Sequence, residues 1–326
     1  MTRRLSPIIK QVISAIGRLG ELRILLVVVG FALAMGLKRP DFLSGAVLHA
    51  NALYMAPYAI MACGMTVLLV SGGFDLSVGS VSALAAMVAA VLMRNPAIHM
   101  AWPLALLLGL ATGLAVGLLN GFSVAKLGIN PFITTLGTML LARGLTYVVS
   151  GGQKQPDLDP QFCWLGQGQL GGVQMPIIVS LVLVVLSDIL LRKSRFFRQN
   201  YYIGGNEQAA WLSGIAVNRI KLFNYCLSGT LAALAGLLYC ARSGSAAPTD
   251  SEGAELKVIT AVIVGGASLA GGKGTVFGAF LGCALLAIIL PAITFLGIQA
   301  EWEKVVVGAI LLVAVLLDRV GRRKEK

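Results

Sequence analysis

The chain has 326 residues, of which Asp, Glu, Lys and Arg make up only 12%, about half the share of an ordinary soluble domain. Apolar residues reach 57%, and no charged residue falls within 42–74, 95–125, 160–187 or 274–300; each gap exceeds the roughly 20 residues that cross a bilayer as a helix. These numbers exclude a soluble enzyme and put the net charge of +12 at segment ends, where it sets membrane orientation rather than nucleic-acid binding.

Continuous runs of Ala, Leu, Val and Gly lack the alternation of membrane β-strands, so the expected fold is all-α and polytopic, with broken or re-entrant Gly-rich segments. In chain order, Ile8 to Leu22 carries apolar residues at helical spacing and reads as an interfacial helix; residues 1–23 form an N-terminal cytoplasmic segment. Ile24 to Gly36 resembles a signal-peptide core, but its basic leader is long and more apolar helices follow, so an uncleaved first span is expected. Further spans fall near 47–70, 77–93, 103–124, 131–149, 174–191, 220–241, 254–270, 275–296 and 303–318. That makes about ten spans in a permease domain of residues 24–318, followed by a basic tail, 319–326. With the N-terminus inside, 18 of the 26 Lys and Arg lie in inner segments and six in outer ones, which predicts both termini in the cytoplasm.

Two loops are long enough to act: an outer one at 150–173 and an inner one at 192–219. Val70 to Gly79 and Ile263 to Gly272 share the pattern Gly-Gly-x-x-Leu-x-x-Gly, each between two apolar runs. Paired breaks of this kind point to discontinuous helices at a transport path. Gly72, Gly73, Asp75, Gly79, Gly265, Gly266 and Gly272 are therefore candidates for the path or its gate, and Asp75 equally reads as a cap for the helix beginning at Ser77. Asn130 and Pro131 mark a helix start, and Asn130, like Thr135, is a further candidate for the path or its gate. Thr135, with Thr134 and Thr138, can face a polar path or bond its own preceding turn. Arg143, inside a span, calls for a partner or for snorkelling to the surface.

No His-Glu-x-x-His, Gly-x-Ser-x-Gly or Cys-x-x-Cys occurs, and five scattered cysteines form neither a disulfide framework nor a thiolate site. No metal or other cofactor is expected on this chain. Around Gly272 and Lys273 the Walker signature fails, because Ala267 and Gly274 stand at two of its required positions, so nucleotide hydrolysis belongs to another chain. In the inner loop, Asn206 can cap a short helix through Glu207, Gln208, Ala209, Ala210, Trp211 and Leu212, ended by Gly214. Such a helix suits either a groove of a partner protein or the membrane surface.

Several motifs together resemble the ribose-type permeases of bacterial ABC sugar importers: Gly73-Phe-Asp-Leu-Ser-Val-Gly-Ser80, Asn130-Pro-Phe-Ile-Thr-Thr-Leu-Gly-Thr138 with Arg143-Gly-Leu145, the run Ile203 to Ile215, Leu227-Ser-Gly229, and Glu255-Leu256 through Gly274. The ordered match extends from about residue 40 to 318. The resemblance implies a permease that translocates a monosaccharide or sugar-like solute across the inner membrane and is not itself an enzyme. It implies as partners an ABC ATPase subunit holding ATP and Mg, a periplasmic substrate-binding protein, a second permease copy and membrane lipid. It assigns Asn206, Glu207, Ala209, Ala210 and Gly214 to the coupling helix that docks on the ATPase. Two departures stand out: Gln208 is inserted after the family's acidic residue, and Lys257 stands where a small or apolar residue is expected. Pairing of Lys257 with Glu255 or Glu252 is anticipated. The competing class is an ion-coupled secondary transporter, which needs intramembrane carboxylates with an access path, whereas Asp75 and Asp188 both sit near expected cytoplasmic ends.

Overall fold

A computed structural model describes residues 21–323, so the interfacial helix expected from Ile8 lies outside the described residues except for its last two, which open helix α1 (Glu21–Lys38). The described chain is mostly helical. After α1 and a 3-10 turn come α2 (Gly45–Val70), α3 (Val78–Arg94), α4 (Trp102–Ala125), α5 (Pro131–Ser150), α6 (Pro160–Gln167), α7 (Met175–Lys193), α8 (Arg195–Gly205), α9 (Glu207–Leu212), α10 (Val217–Ser243), α11 (Ala254–Val264), α12 (Val276–Phe295) and α13 (Trp302–Arg323).

Six of these, α2, α4, α5, α7, α10 and α12, are long and apolar enough to cross a membrane. The other four expected spans exist as helices of different character. Helix α3 has 17 residues and α11 only 11, whereas α1 and α13 carry several charges near their ends. The span expected at 254–270 is corrected most: its helix stops at Val264, where the glycine pair ends it.

Helices α2, α3, α11 and α12 are buried along most of their length and, with α10, form the centre, while α4, α5 and α7 present Leu and Val outward. The central core joins Ile60, Met65, Val81, Leu231, Val262 and Leu286. Backbones approach most closely between α4 and α10. Gly109, Gly113, Gly117 and Gly121 recur every fourth residue on α4, and a Cβ at Gly113 would strike the Gly229 carbonyl and Ala233. Small residues at this spacing let membrane helices pack backbone to backbone.

The loop at 150–173 is more ordered than its polar sequence suggests. Asp159 caps α6 by accepting the Gln161 amide at 2.7 Å, and Gly171 and Gly172, both at positive φ, turn the two-stranded ribbon β1 (Gln169–Leu170) and β2 (Val173–Gln174). Cys163 is buried in α6 beside Phe162, Leu237 and Cys240 rather than standing in an open loop. Every described cysteine is free.

Candidate functional site: a docking helix, two breaks and a polar ledge

Helix α9 is built to be rigid and exposed. Asn206 accepts the Ala209 amide at 2.9 Å, and at the other end Gly214, at φ +83°, closes a Schellman motif in which Ile215 N donates to Ala210 O and Gly214 N to Trp211 O. Glu207 pairs with Lys221 of α10 at 2.7 Å. Ala210 is 4% exposed and packs inward on Ile203, Val217 and Ile220. Of the two alanines predicted to meet a partner, only Ala209 faces outward; Trp211 and Leu212, 66% and 72% exposed, are the apolar side chains beside it.

Helix α8, which the sequence reading did not anticipate, links α9 to both Gly-rich breaks. A Cβ at Gly204 would fall against the Val70 carbonyl, and that carbonyl already accepts Gly272 N at 2.8 Å. Gly271 in turn lies against Gly204 and Gly72. Three backbone segments, at 70–72, 204–205 and 271–272, therefore meet without side chains between them. Tyr201 donates to Gly274 O at 2.8 Å, and burial pushes its phenol above the ordinary value.

The two breaks share a local structure. Gly72 N and Gly73 N donate to Leu69 O and Leu68 O, and Gly266 N and Ala267 N donate to Ile263 O and Val262 O. Each is a Schellman end with its glycine in the left-handed region, Gly72 at φ +82° and Gly266 at φ +96°. The structural equivalence is thus shifted by one residue from the sequence repeat, pairing Gly72 with Gly266 rather than with Gly265. Gly265 instead packs on Gly278 of α12, and Gly73 lies beside the Tyr225 hydroxyl.

Asp75 is 1% exposed. Its carboxylate accepts Ser77 N at 2.8 Å and Ser77 Oγ at 2.5 Å, and Ser228 Oγ at 3.4 Å. Asn120 donates to Ser77 Oγ at 3.0 Å, and Asn224 donates to both Ser71 and Asn200. The group is a buried polar knot joining α4, α8 and α10 to the first break. Asp188 is likewise engaged, by Arg192 at 2.6 Å and by Phe277 N at 3.0 Å. Arg192 also pairs with Glu21 of α1.

A third feature lies nearer the α6 end. Helix α10 ends at Gly244, and 244–253 runs without helix, pairing Ala246 with Gln155 before it descends. Arg143 Nη1 donates to Pro248 O at 2.6 Å and Asp250 O at 2.9 Å, which gives that charge its partner. Ser251 meets Ser82 at 3.0 Å, and Gly79 packs on Ser251, Ala254 and Glu255. Arg143 is seven residues from the end of α5 and Ser82 twelve from the end of α3, so the segment reaches about 10 to 18 Å into the bundle. Thr249 and Glu252 are exposed there, with Asp250, Ser251 and Glu255 half-exposed. This polar ledge leads directly into short helix α11. The run Pro248-Thr-Asp-Ser-Glu-Gly253 was its visible signal, passed over because it lies between two apolar segments.

Asn130 caps α5 by accepting Phe132 N at 2.8 Å. Thr135 and Thr138 donate to carbonyls of their own helix, Thr135 to Pro131 O at 2.8 Å. Among the described residues no cluster of His, Cys, Asp and Glu is arranged to hold a metal.

Residues 48–315 match the family described as the permease component of branched-chain amino acid transport systems. The chain is 41% identical over 265 residues to a ribose import permease of Bacillus subtilis, covering 80% of each chain. It is 38% identical over 291 residues to an L-arabinose transport system permease of Escherichia coli, covering 88% of this chain and 87% of that one. A probable ABC transporter permease of Sinorhizobium fredii is 37% identical over 306 residues, 94% and 91% of the two chains. No solved structure matches the chain.

Proposed function

The chain belongs to the permease family of ABC importers, and we propose that it carries a monosaccharide or sugar-like solute across a bacterial inner membrane, energised by a separate ATPase. It is a transport subunit and not an enzyme. The observation that carries the coupling role is α9: a short helix, fixed at both ends, that turns Ala209, Trp211 and Leu212 outward while Ala210 anchors it to α10. A helix of this kind laid in a groove transmits motion of its partner rather than absorbing it. ATP and Mg are held by the ATPase.

Ten crossings are made by α1, α2, α3, α4, α5, α7, α10, the ledge with α11, α12 and α13, with both termini and α9 cytoplasmic. Irregular backbone and charged side chains do not face lipid at bilayer depth unless protein or water covers them. The ledge at 248–255 is therefore covered by a second copy of the chain, and solute passes between the two toward the paired breaks. A periplasmic binding protein delivers the solute at the α6 end. In each cycle the ATPases move α9, and α8 carries that motion to Val70 and Gly272.

The test is retention of the ATPase on purification. Ala209→Glu and Trp211→Ala each remove or spoil a contact worth about 2 kcal/mol at a well-packed interface. Both variants are expected to reach the membrane at normal abundance and to lose the ATPase. Full retention by both would refute the docking role of α9.

A further inference from the structure

Lys257 is one of the two departures from the resemblance, and it pairs with neither Glu252 nor Glu255, the partners the sequence suggests. Its side chain leaves the first turns of α11 and reaches Glu303 of α13, with Nζ 2.5 Å from Oε1. The same ammonium donates to Tyr54 Oη at 2.9 Å and Tyr58 Oη at 3.5 Å. It also lies 5.5 Å and 5.4 Å from the two ring centroids, over rings that themselves pack 5.2 Å apart on α2. Tyr54 closes the circuit by donating to Glu303 at 3.4 Å. All three donors of the ammonium are thus engaged. Lys257 and the two tyrosines line a small cavity whose other walls are Ala261, Cys283, Leu286 and Leu290.

The mechanical setting matters. Helix α11 has 11 residues and is entered from the irregular ledge, so its upper end has no continuous helix above it. Lys257 is the polar tie that joins this end to α2 and α13. On its other side α11 carries Glu255 against Gly79 of α3, where the ledge packs on the bundle.

We propose that Lys257 is a positioning residue: held by Glu303 and the two tyrosines, it ties the first turn of α11 to α2 and α13 and so, together with Arg143 and Ser82 on the ledge itself, sets the place of the Ser251–Glu255 ledge along the solute path. The proposal rests on the transport reading above. Breaking the tie lets the ATPase cycle continue while the path no longer follows it.

The test uses the permease–ATPase complex in proteoliposomes with its binding protein, a panel of labelled aldopentoses and aldohexoses as probes, and ATP hydrolysis measured alongside uptake. Lys257→Met and Glu303→Gln are expected to keep ATPase retention and hydrolysis while raising ATP consumed per sugar moved by about tenfold, the scale of one lost hydrogen bond to a charged group. The exchanged pair Lys257→Glu with Glu303→Lys should restore the ratio, which a loss of general stability would not do. A wild-type ratio in Glu303→Gln, or failure of the exchanged pair to restore it, overturns the proposal. If the unaltered complex moves none of the sugars with ATP, the transport reading falls and this proposal with it.

Discussion

At Gly204 a single hydrogen atom in place of a methyl group lets α8 touch the backbone of both breaks. An added Cβ meets the Val70 carbonyl and Gly272 N, which are backbone and cannot rotate away, whereas Gly205 has open space at the same position. Gly204→Ala should therefore destabilise the protein by about 1–3 kcal/mol, the usual cost of overpacking, and Gly205→Ala should not. Thermal unfolding of the detergent-solubilised protein checks this, and equal melting temperatures for the two variants would remove the joint from the account. Residue-level reading of the sequence succeeded where the residue acts through its own backbone: Asn130, Asn206 and Gly214 cap the helices they were expected to cap. It failed where a residue acts across the fold. Nothing local told that Ala210 turns inward while Ala209 turns outward, or that Lys257 reaches a glutamate 46 positions away.

Among elements, the legible ones were long apolar helices, because a continuous hydrophobic run has few alternatives in a membrane protein. Helix α11 was misjudged because apolar residues continue beyond Val264 in composition, although the Gly265-Gly266 pair stops the helix. The α4–α10 contact was missed although its signal, a glycine every fourth residue from Gly109 to Gly121, lay in plain view. Gly113→Val places two methyl groups against the Gly229 carbonyl and Ala233 and should separate the helices. Its expected effect is loss of folded protein by size-exclusion chromatography, while Gly137→Val, on α5 with open space at its Cβ, should elute like the wild type.

For the whole molecule, one arrangement connects the pieces: α9 and α8 at one end, the two breaks beside them, and the ledge and α11 reaching in from the other. Orientation follows from the run Arg192, Lys193, Arg195 and Arg198 at the α9 end and the positive-inside tendency of such clusters. A reporter fused after Ser194 should be cytoplasmic and one after Asp157 external; both on the same side would break the ten-crossing arrangement. The family and its broad transport role could be recognised from ordered motifs, several of which mark breaks and caps in this fold. The motifs carry no signal for one solute over another, and the polar run at Thr249 to Glu255 lies on a loop whose path depends on Arg143 across the fold.

The central claim is that this chain moves solute only when an ATPase drives it, and the energy source tests it most directly. Proteoliposomes holding the permease with its ATPase and binding protein would be assayed for uptake of labelled D-ribose, L-arabinose and related sugars, with ATP alone and with proton or sodium gradients alone. The account predicts uptake with ATP, no uptake with either gradient, and loss of the ATP-driven signal in Ala209→Glu. Gradient-driven uptake by the permease without any ATPase would contradict it.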